Sequence, residues 1–116
     1  MLRFLICLLL MASSSPAADL SGVWDLEMEW SGGSQSTGVC KLKQHDAKLS
    51  GTCAEKSSVT GQVHDRRVTW EVEVQQDGQA GRMTFEGTLN DAGTTVQGTC
   101  AVLGGPSGKF TMRKQK

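Results

Sequence analysis

Three of the four cysteines lie beyond residue 30, at positions 40, 53 and 100. Cys40 and Cys53 lie equally far from the centre of a predicted turn at Asp46 and Ala47. Residues that face each other in an antiparallel pair have Cα atoms roughly 4.5–5.5 Å apart, which is within disulfide range. We therefore predict a Cys40–Cys53 disulfide and a free thiol at Cys100, with a Cys53–Cys100 bond as the alternative. Three thiolates could also hold a metal ion, but thiols in an oxidising compartment more often oxidise, so we predict no metal site.

Histidine and aspartate stand side by side in two predicted turns, as His45-Asp46 and His64-Asp65. These groups could collect a metal ion, but His and Asp in turns ordinarily bond to water and to the local backbone. The sequence GPSG at 105–108 lacks the spacing and the strand-to-helix setting of a nucleophile elbow. No pair of carboxylates falls on the predicted inward positions. We therefore predict that the chain is not an enzyme and has no metal or cofactor.

Residues 1–17 have the features of a signal peptide, which leaves residues 18–116 as a single domain. Arg3 supplies the positive start, a short apolar run follows, and small residues up to Ala17 supply a cleavage site. The apolar run is too short to span a bilayer. We therefore expect a secreted or periplasmic protein without a membrane span, whose mature chain begins near Ala18.

The charge balance argues against nucleic acid as a partner. Without Arg3 the chain carries one more acidic than basic side chain. Binding to nucleic acid needs a basic face that displaces counterions, and this balance provides none. About a hundred residues suffice for one domain with a modest core, and we expect a monomer.

From residue 21 onward, apolar and polar residues alternate. In the first segment Trp24, Leu26 and Met28 share one face, and the acidic residues between them share the other. A period of two predicts a strand with one buried and one solvated face. Asp77-Gly78 is a strong hairpin signal, because glycine tolerates the positive φ of such turns. Eight strands are predicted, at about 21–30, 37–44, 48–54, 58–63, 67–76, 81–89, 94–102 and 109–114.

Glycine recurs on the predicted inward face, at Gly51, Gly61, Gly87 and Gly98, each between apolar residues two positions away. An inward glycine lets a strand bend sharply, as tight closure of a barrel demands, and it could also leave a cavity. Eight strands joined by short turns then predict an all-β fold, an eight-stranded antiparallel up-and-down β-barrel that joins its first strand to its last.

Gly22-x-Trp24 in the first strand, with Phe110-Thr111-Met112-Arg113 in the last, resembles the calycin pattern of lipocalins and avidins. The resemblance implies that Arg113 covers Trp24, and it makes Gly22, Trp24 and Arg113 structural residues. The chain departs from both groups. Avidins hold biotin with a Tyr, which is absent here, and lipocalins carry a helix after the barrel for which this sequence shows no pattern.

Two further resemblances are weaker. The chain looks like small exported bacterial barrels of unassigned role. Leu20-Ser21-Gly22-x-Trp24, followed by Cys40 and Cys53 on neighbouring strands, is similar to small secreted bacterial inhibitors of metalloproteases. Those inhibitors use an extended N-terminal arm, and this chain has almost none before its first strand.

Two functions therefore remain open. By analogy with calycins, the inward side chains would bind a small apolar ligand in the barrel mouth. Alternatively they fill the core of a structural or protein-interaction module with a protein partner, including a secreted protease-inhibitor-like barrel. A small eight-stranded barrel is wide enough for either. The predicted ligand-binding residues are Met28, Trp30, Leu42, Val59, Trp70, Val72, Phe85 and Val102.

Overall fold

Each of the eight predicted strands is present, with ends that differ from the prediction by no more than two residues. The computed structural model describes residues 19–54, 56–76 and 78–115, so the predicted signal peptide lies outside the described residues. The strands are β1 (Gly22–Trp30), β2 (Gln35–His45), β3 (Lys48–Cys53), β4 (Ser57–His64), β5 (Arg67–Gln76), β6 (Gln79–Leu89), β7 (Thr95–Val102) and β8 (Ser107–Lys114).

The strands form a closed antiparallel barrel in the order in which they occur along the chain. Closure comes from the pairing of β1 with β8, which runs from Trp24 opposite Lys114 to Trp30 opposite Gly108. Closure leaves no exposed sheet edge for another chain to extend. The prediction of an up-and-down β-barrel is confirmed. Across the described ranges, no helix is long and apolar enough to span a membrane.

Burial of the inward side chains decreases from one end of the barrel to the other. The closed end is where β1 begins. Its side chains have 0% exposure at Leu20, Trp24, Val68, Val96 and Met112. The opposite, open end carries the connections that follow β1, β3, β5 and β7. There the inward side chains of β1, β5 and β6 are only partly buried.

Leu20, which precedes β1, seals the closed end. Its carbonyl accepts a hydrogen bond from Trp24 Nε1 at 2.9 Å, and its amide donates to Gln44 Oε1 at 2.8 Å. The backbone N–H of Gln44 in turn donates to Ser21 Oγ at 3.0 Å. The segment before the first strand is therefore part of the core, a role that the alternating pattern did not predict.

The inward glycines make room for neighbouring strands and side chains rather than for a cavity. A Cβ added at Gly61 would lie 2.5 Å from the Cβ of Trp70, and one at Gly87 would lie 2.9 Å from Phe110 Cζ. Real Cβ atoms do not approach other atoms so closely, so these positions admit only glycine unless the neighbours shift. The packing therefore supports the interpretation that the glycines are points of bending and close approach.

Three aromatic rings fill the middle of the barrel. Trp70 and Phe85 stack with their centroids 4.7 Å apart and their planes 5° from parallel. Phe110 meets both rings edge to face, with centroid distances of 5.1 Å to Trp70 and 5.3 Å to Phe85. Such pairs add about 0.5–1.5 kcal/mol each to the stabilisation from buried area. The cluster separates the closed end from the open end.

The prediction that Arg113 covers Trp24 is wrong. Arg113 lies on the outer face, where its Nη1 is 3.0 Å from Oε1 of Glu27. The cation near the indole is Lys114, with Nζ 5.9 Å from the centroid of the Trp24 ring. Successive residues of a strand point to opposite sides. Because Met112 points inward, the next inward residue of β8 is Lys114.

Candidate functional site

The open end of the barrel is uneven, because some strands continue beyond their pairing with a neighbour. Pairing of β2 with β3 stops at Cys40 opposite Cys53, so residues 35–39 continue past the end of β3. Pairing of β4 with β5 stops at Val59 opposite Val72, so residues 73–76 continue past the last pair that β5 makes with β4. The β5–β6 hairpin therefore continues past its pairing with both neighbours, whereas the β1–β2 hairpin, four strands away, continues past β3 only, because β1 pairs with β8 as far as Trp30 opposite Gly108.

These hairpins and the end of β7 carry the apolar side chains that are only partly buried. We call this set the mouth. It consists of Met28, Trp30, Val74, Met83 and Val102. Trp30 is oriented by a hydrogen bond from its Nε1 to Ser36 Oγ at 3.1 Å, which joins β1 to β2 across the first hairpin.

The mouth carries no charged side chain among its five residues. On the outer face, in contrast, charges of opposite sign pair at Arg113 with Glu27 and at Arg82 with Glu71, the latter with Nη1 and Oε1 3.5 Å apart. These outer pairs are well exposed, so they contribute little to stability. The arrangement can bind uncharged, apolar molecules by burial, and it offers no compensation for a buried charge.

The structure separates the predicted ligand-binding residues into two groups. Met28, Trp30 and Val102 belong to the mouth and remain partly exposed. The other five are buried in the core with at most 4% exposure, and these are Leu42, Val59, Trp70, Val72 and Phe85. Val74 and Met83 were not among the predicted ligand-binding residues, although their places in the alternation of β5 and β6 marked both as inward.

The predicted Cys40–Cys53 disulfide is present, and the Cα atoms of its cysteines are 4.0 Å apart. It joins β2 to β3 where their pairing ends, and so it fixes the base of the first hairpin. Cys100 is a free, buried cysteine. Desolvation by burial raises the pKa of its thiol above the ordinary value. A thiol held in its neutral form is a weak nucleophile.

The two His-Asp turns lie at the closed end, away from the mouth. His45 Nε2 is 3.8 Å from Asp46 Oδ2, and His64 Nε2 is 3.9 Å from Asp65 Oδ2. All four side chains are at least 90% exposed. Both aspartates have a positive φ, 56° and 59°, as their turns require. In the described part of the chain, no group of three metal-ligating side chains comes together.

The indole nitrogen of Trp70 is unusual among the buried atoms of the described core. Its Nε1 is buried and has no hydrogen-bond partner in the described chain. All the side chains that are buried in the described core are apolar, and none is polar or charged. The other two indoles of the barrel do donate hydrogen bonds, Trp24 to the Leu20 carbonyl and Trp30 to Ser36 Oγ.

Comparison with known proteins supports the fold. No protein-family model matches the sequence, and no curated protein matches it. A redesigned β-barrel is similar in structure, with 16% sequence identity and a TM-score of 0.51 over 89% of this chain and 100% of that chain. A de novo designed fluorescence-activating β-barrel matches with 14% identity and a TM-score of 0.45, over 83% of this chain and 94% of that chain. At these identities the likeness concerns the fold alone. None of these comparisons confirms the calycin resemblance.

Proposed function

We propose that this protein binds a small, uncharged apolar ligand in the mouth of the barrel. The observation that carries the proposal is the contrast between the two ends. Leu20 and Trp24 seal one end completely, whereas Met28, Trp30 and Met83 stay partly exposed at the other. Concave apolar sites with a few placed polar groups are the usual form of small-ligand sites.

The packing also limits where such a ligand can lie. The rings of Trp70, Phe85 and Phe110 occupy the middle of the barrel, so the ligand lies above them, between the β1–β2 and β5–β6 hairpins. Two of the mouth residues, Met28 and Met83, are methionines. Their unbranched, flexible side chains can adapt to ligands of different shape. The preferred ligand is therefore a compact or thin apolar molecule, held in the upper part of the barrel.

We further propose that the protein is exported and acts by binding rather than catalysis. The Cys40–Cys53 disulfide is compatible with an oxidising compartment. The exposed His-Asp turns and the neutral Cys100 thiol support a chain without an activated nucleophile. Intact-mass analysis of the exported protein would test the compartment. A mature chain that begins near Ala18 is expected, and retention of residues 1–17 would contradict export by a cleaved signal peptide.

A brominated alkane tests the site directly, because its heavy atom quenches indole fluorescence at short range. In variants that keep one tryptophan each, we expect strong quenching of Trp30 in the mouth and little of Trp24 at the closed end. A charge placed in the mouth by Met83→Glu should weaken binding about tenfold or more, because the ligand would then meet a desolvated carboxylate. The matched control is Val39→Glu on the outer face, where 42% of the side chain is already exposed.

The second candidate function is a filled-core module that binds another protein. It is favoured by the aromatic cluster and by Leu103, which is 73% exposed in the connection after β7 at the open end. A folded protein that shows no quenching with any apolar probe would support this candidate against the first. Its inhibitor-like form gains less support, because Leu20 before β1 is buried in the closed end rather than extended.

A further inference from the structure

The unpaired indole N–H of Trp70 points to a chemical feature of the ligand. Trp70 is 2% exposed, and its Nε1 has no hydrogen-bond partner in the described chain. A buried donor without a partner disfavours folding, because it has lost its bond to water. Phenylalanine would supply a ring at this position without that loss. The donor therefore makes most sense if a molecule that enters the barrel supplies an acceptor.

The surroundings of the indole offer no side-chain acceptor. One face of Trp70 stacks on Phe85, and Phe110 meets it edge to face. Apart from Trp24, whose own N–H is bonded to the Leu20 carbonyl, the remaining side chains of the described core are aliphatic or contain sulfur. Neighbouring backbone carbonyls on β5 and β6 belong to the strand pairing on either side. Within the described residues, the indole is thus an isolated donor in an apolar interior.

The mouth lies directly above this donor along β5 and β6. Val72 pairs with Met83, and Trp70 pairs with Phe85, one inward position deeper. Two residues of a strand span roughly 7 Å, so the backbone of Trp70 lies about that far below the pair of Val72 with the partly buried Met83. Methionine can change rotamer at low cost and admit a thin group between the hairpins. Once these side chains have moved aside, the leading end of a ligand held in the mouth would reach Trp70, which is 2% exposed in their present arrangement.

We propose that the ligand carries one uncharged hydrogen-bond acceptor at its leading end, a carbonyl of the ketone, aldehyde or ester type, which accepts the Trp70 indole hydrogen. Its apolar remainder lies against the mouth. A carboxylate is excluded, because the described interior offers no positive charge beside the indole and a buried, unpaired charge is very costly. This inference rests on the proposed function and specifies the ligand class of the same site.

The test compares 2-nonanone with 1-nonene, an uncharged pair that differs mainly in the carbonyl, by displacement of N-phenyl-1-naphthylamine from the mouth. Replacing Trp70 with β-(3-benzothienyl)alanine keeps the ring shape and removes the N–H. We expect the affinity for the ketone to fall about tenfold and that for the alkene to stay within about twofold. The same replacement at Trp24, whose N–H is bonded to the Leu20 carbonyl, is the matched control and should leave the ratio unchanged.

A second measurement uses the unmodified protein and so does not depend on any variant folding. In a nitrogen–hydrogen NMR spectrum, the indole proton of Trp70 should move downfield with 2-nonanone and not with 1-nonene. An indole proton that neither probe moves, as when it lies against the ring of Phe110, would overturn the inference. Equal losses of affinity for the ketone and the alkene in the modified protein would also overturn it. If neither probe binds the unmodified protein, the proposed function fails, and this inference fails with it.

Discussion

Lys114 lies over the indole of Trp24, with its Nζ 5.9 Å from the ring centroid, and the two residues face each other across the β1–β8 pair that closes the barrel. Gly22 lies beside this contact, and a Cβ there would be 2.9 Å from Lys114 Cε. The last strand thereby covers the first at the closed end. The Gly22-x-Trp24 pattern thus serves closure of the barrel, with Lys114 as the covering cation.

Replacing Lys114 by methionine should lower the free energy of unfolding by about 0.5–1 kcal/mol, because the cation–π contact is lost while the alkyl chain is largely kept. The matched control is Arg113→Met, which removes an exposed pair with Glu27 and should change the stability by less than about 0.5 kcal/mol. Urea denaturation followed by tryptophan fluorescence measures both. A larger effect at position 113 than at 114 would contradict the assignment of Lys114.

Leu20 should be a strong determinant of stability, although it lies outside every strand. It is fully buried, and it holds the bond that satisfies the Trp24 indole. Leu20→Ala should lower the free energy of unfolding by about 2–3 kcal/mol, the lower part of the range for buried leucines, because the site is at the barrel end. The control Leu103→Ala changes a 73% exposed side chain and should cost less than about 0.5 kcal/mol. Equal effects of the two substitutions would show that the closed end does not depend on Leu20.

The alternation of apolar and polar residues was sufficient to predict eight strands and the closure of the barrel, because each strand has one buried face. It also contained the correct orientation of β8, with Phe110, Met112 and Lys114 on the inner side. The prediction that Arg113 covers Trp24 came instead from a family pattern, and that pattern placed the covering cation one residue too early in β8. Periodicity identifies the face of a strand more reliably than a short motif does.

Other features could not be read from the pattern. Leu20 is a single apolar residue before the first strand, and a single residue has no period. Which inward residues form the mouth depends on where the pairing of β2 with β3 and of β4 with β5 stops, and strand ends are weakly encoded. The unpaired donor of Trp70 depends on its neighbours in space, since Trp24 and Trp30 have the same side chain and do find partners.

The inward glycines should be sensitive to a single added methyl group. At Gly61 a Cβ would lie 2.3 Å from the Thr69 carbonyl oxygen and 2.5 Å from Trp70 Cβ, so backbone would have to move. We expect Gly61→Ala to lower the free energy of unfolding by about 2–3 kcal/mol. Gly32→Ala is the matched control, because no atom lies within 4 Å of its added Cβ. Thermal unfolding of both variants measures the difference in stability. An unchanged melting temperature for Gly61→Ala would contradict the close packing described here.

The buried thiol of Cys100 gives a pH dependence with a definite sign. Burial raises its pKa above the ordinary value of 9.0, so the folded state holds the proton more firmly than the unfolded chain. The stability contributed by the neutral thiol is therefore complete below about pH 9, and it falls as the pH rises through the unfolded pKa toward the folded one. In Cys100→Ala this loss should be absent, and chemical denaturation at pH 8 and pH 10 measures the difference. An identical pH dependence of stability in the unmodified protein and in Cys100→Ala would contradict this prediction.

The Cys40–Cys53 disulfide should stabilise the fold through the loop that it closes. The two cysteines are 13 residues apart, and on the chain-entropy model a bond over such a loop stabilises by about 3 kcal/mol. The double variant Cys40→Ala with Cys53→Ala should therefore unfold at a lower urea concentration, by about that free energy. Cys100→Ala is the control, since it leaves the bond intact. Peptide mapping without reduction checks the pairing itself. A linked Cys53–Cys100 peptide would contradict the structure, because that bond would have to join β3 to β7, which are not neighbours in the barrel.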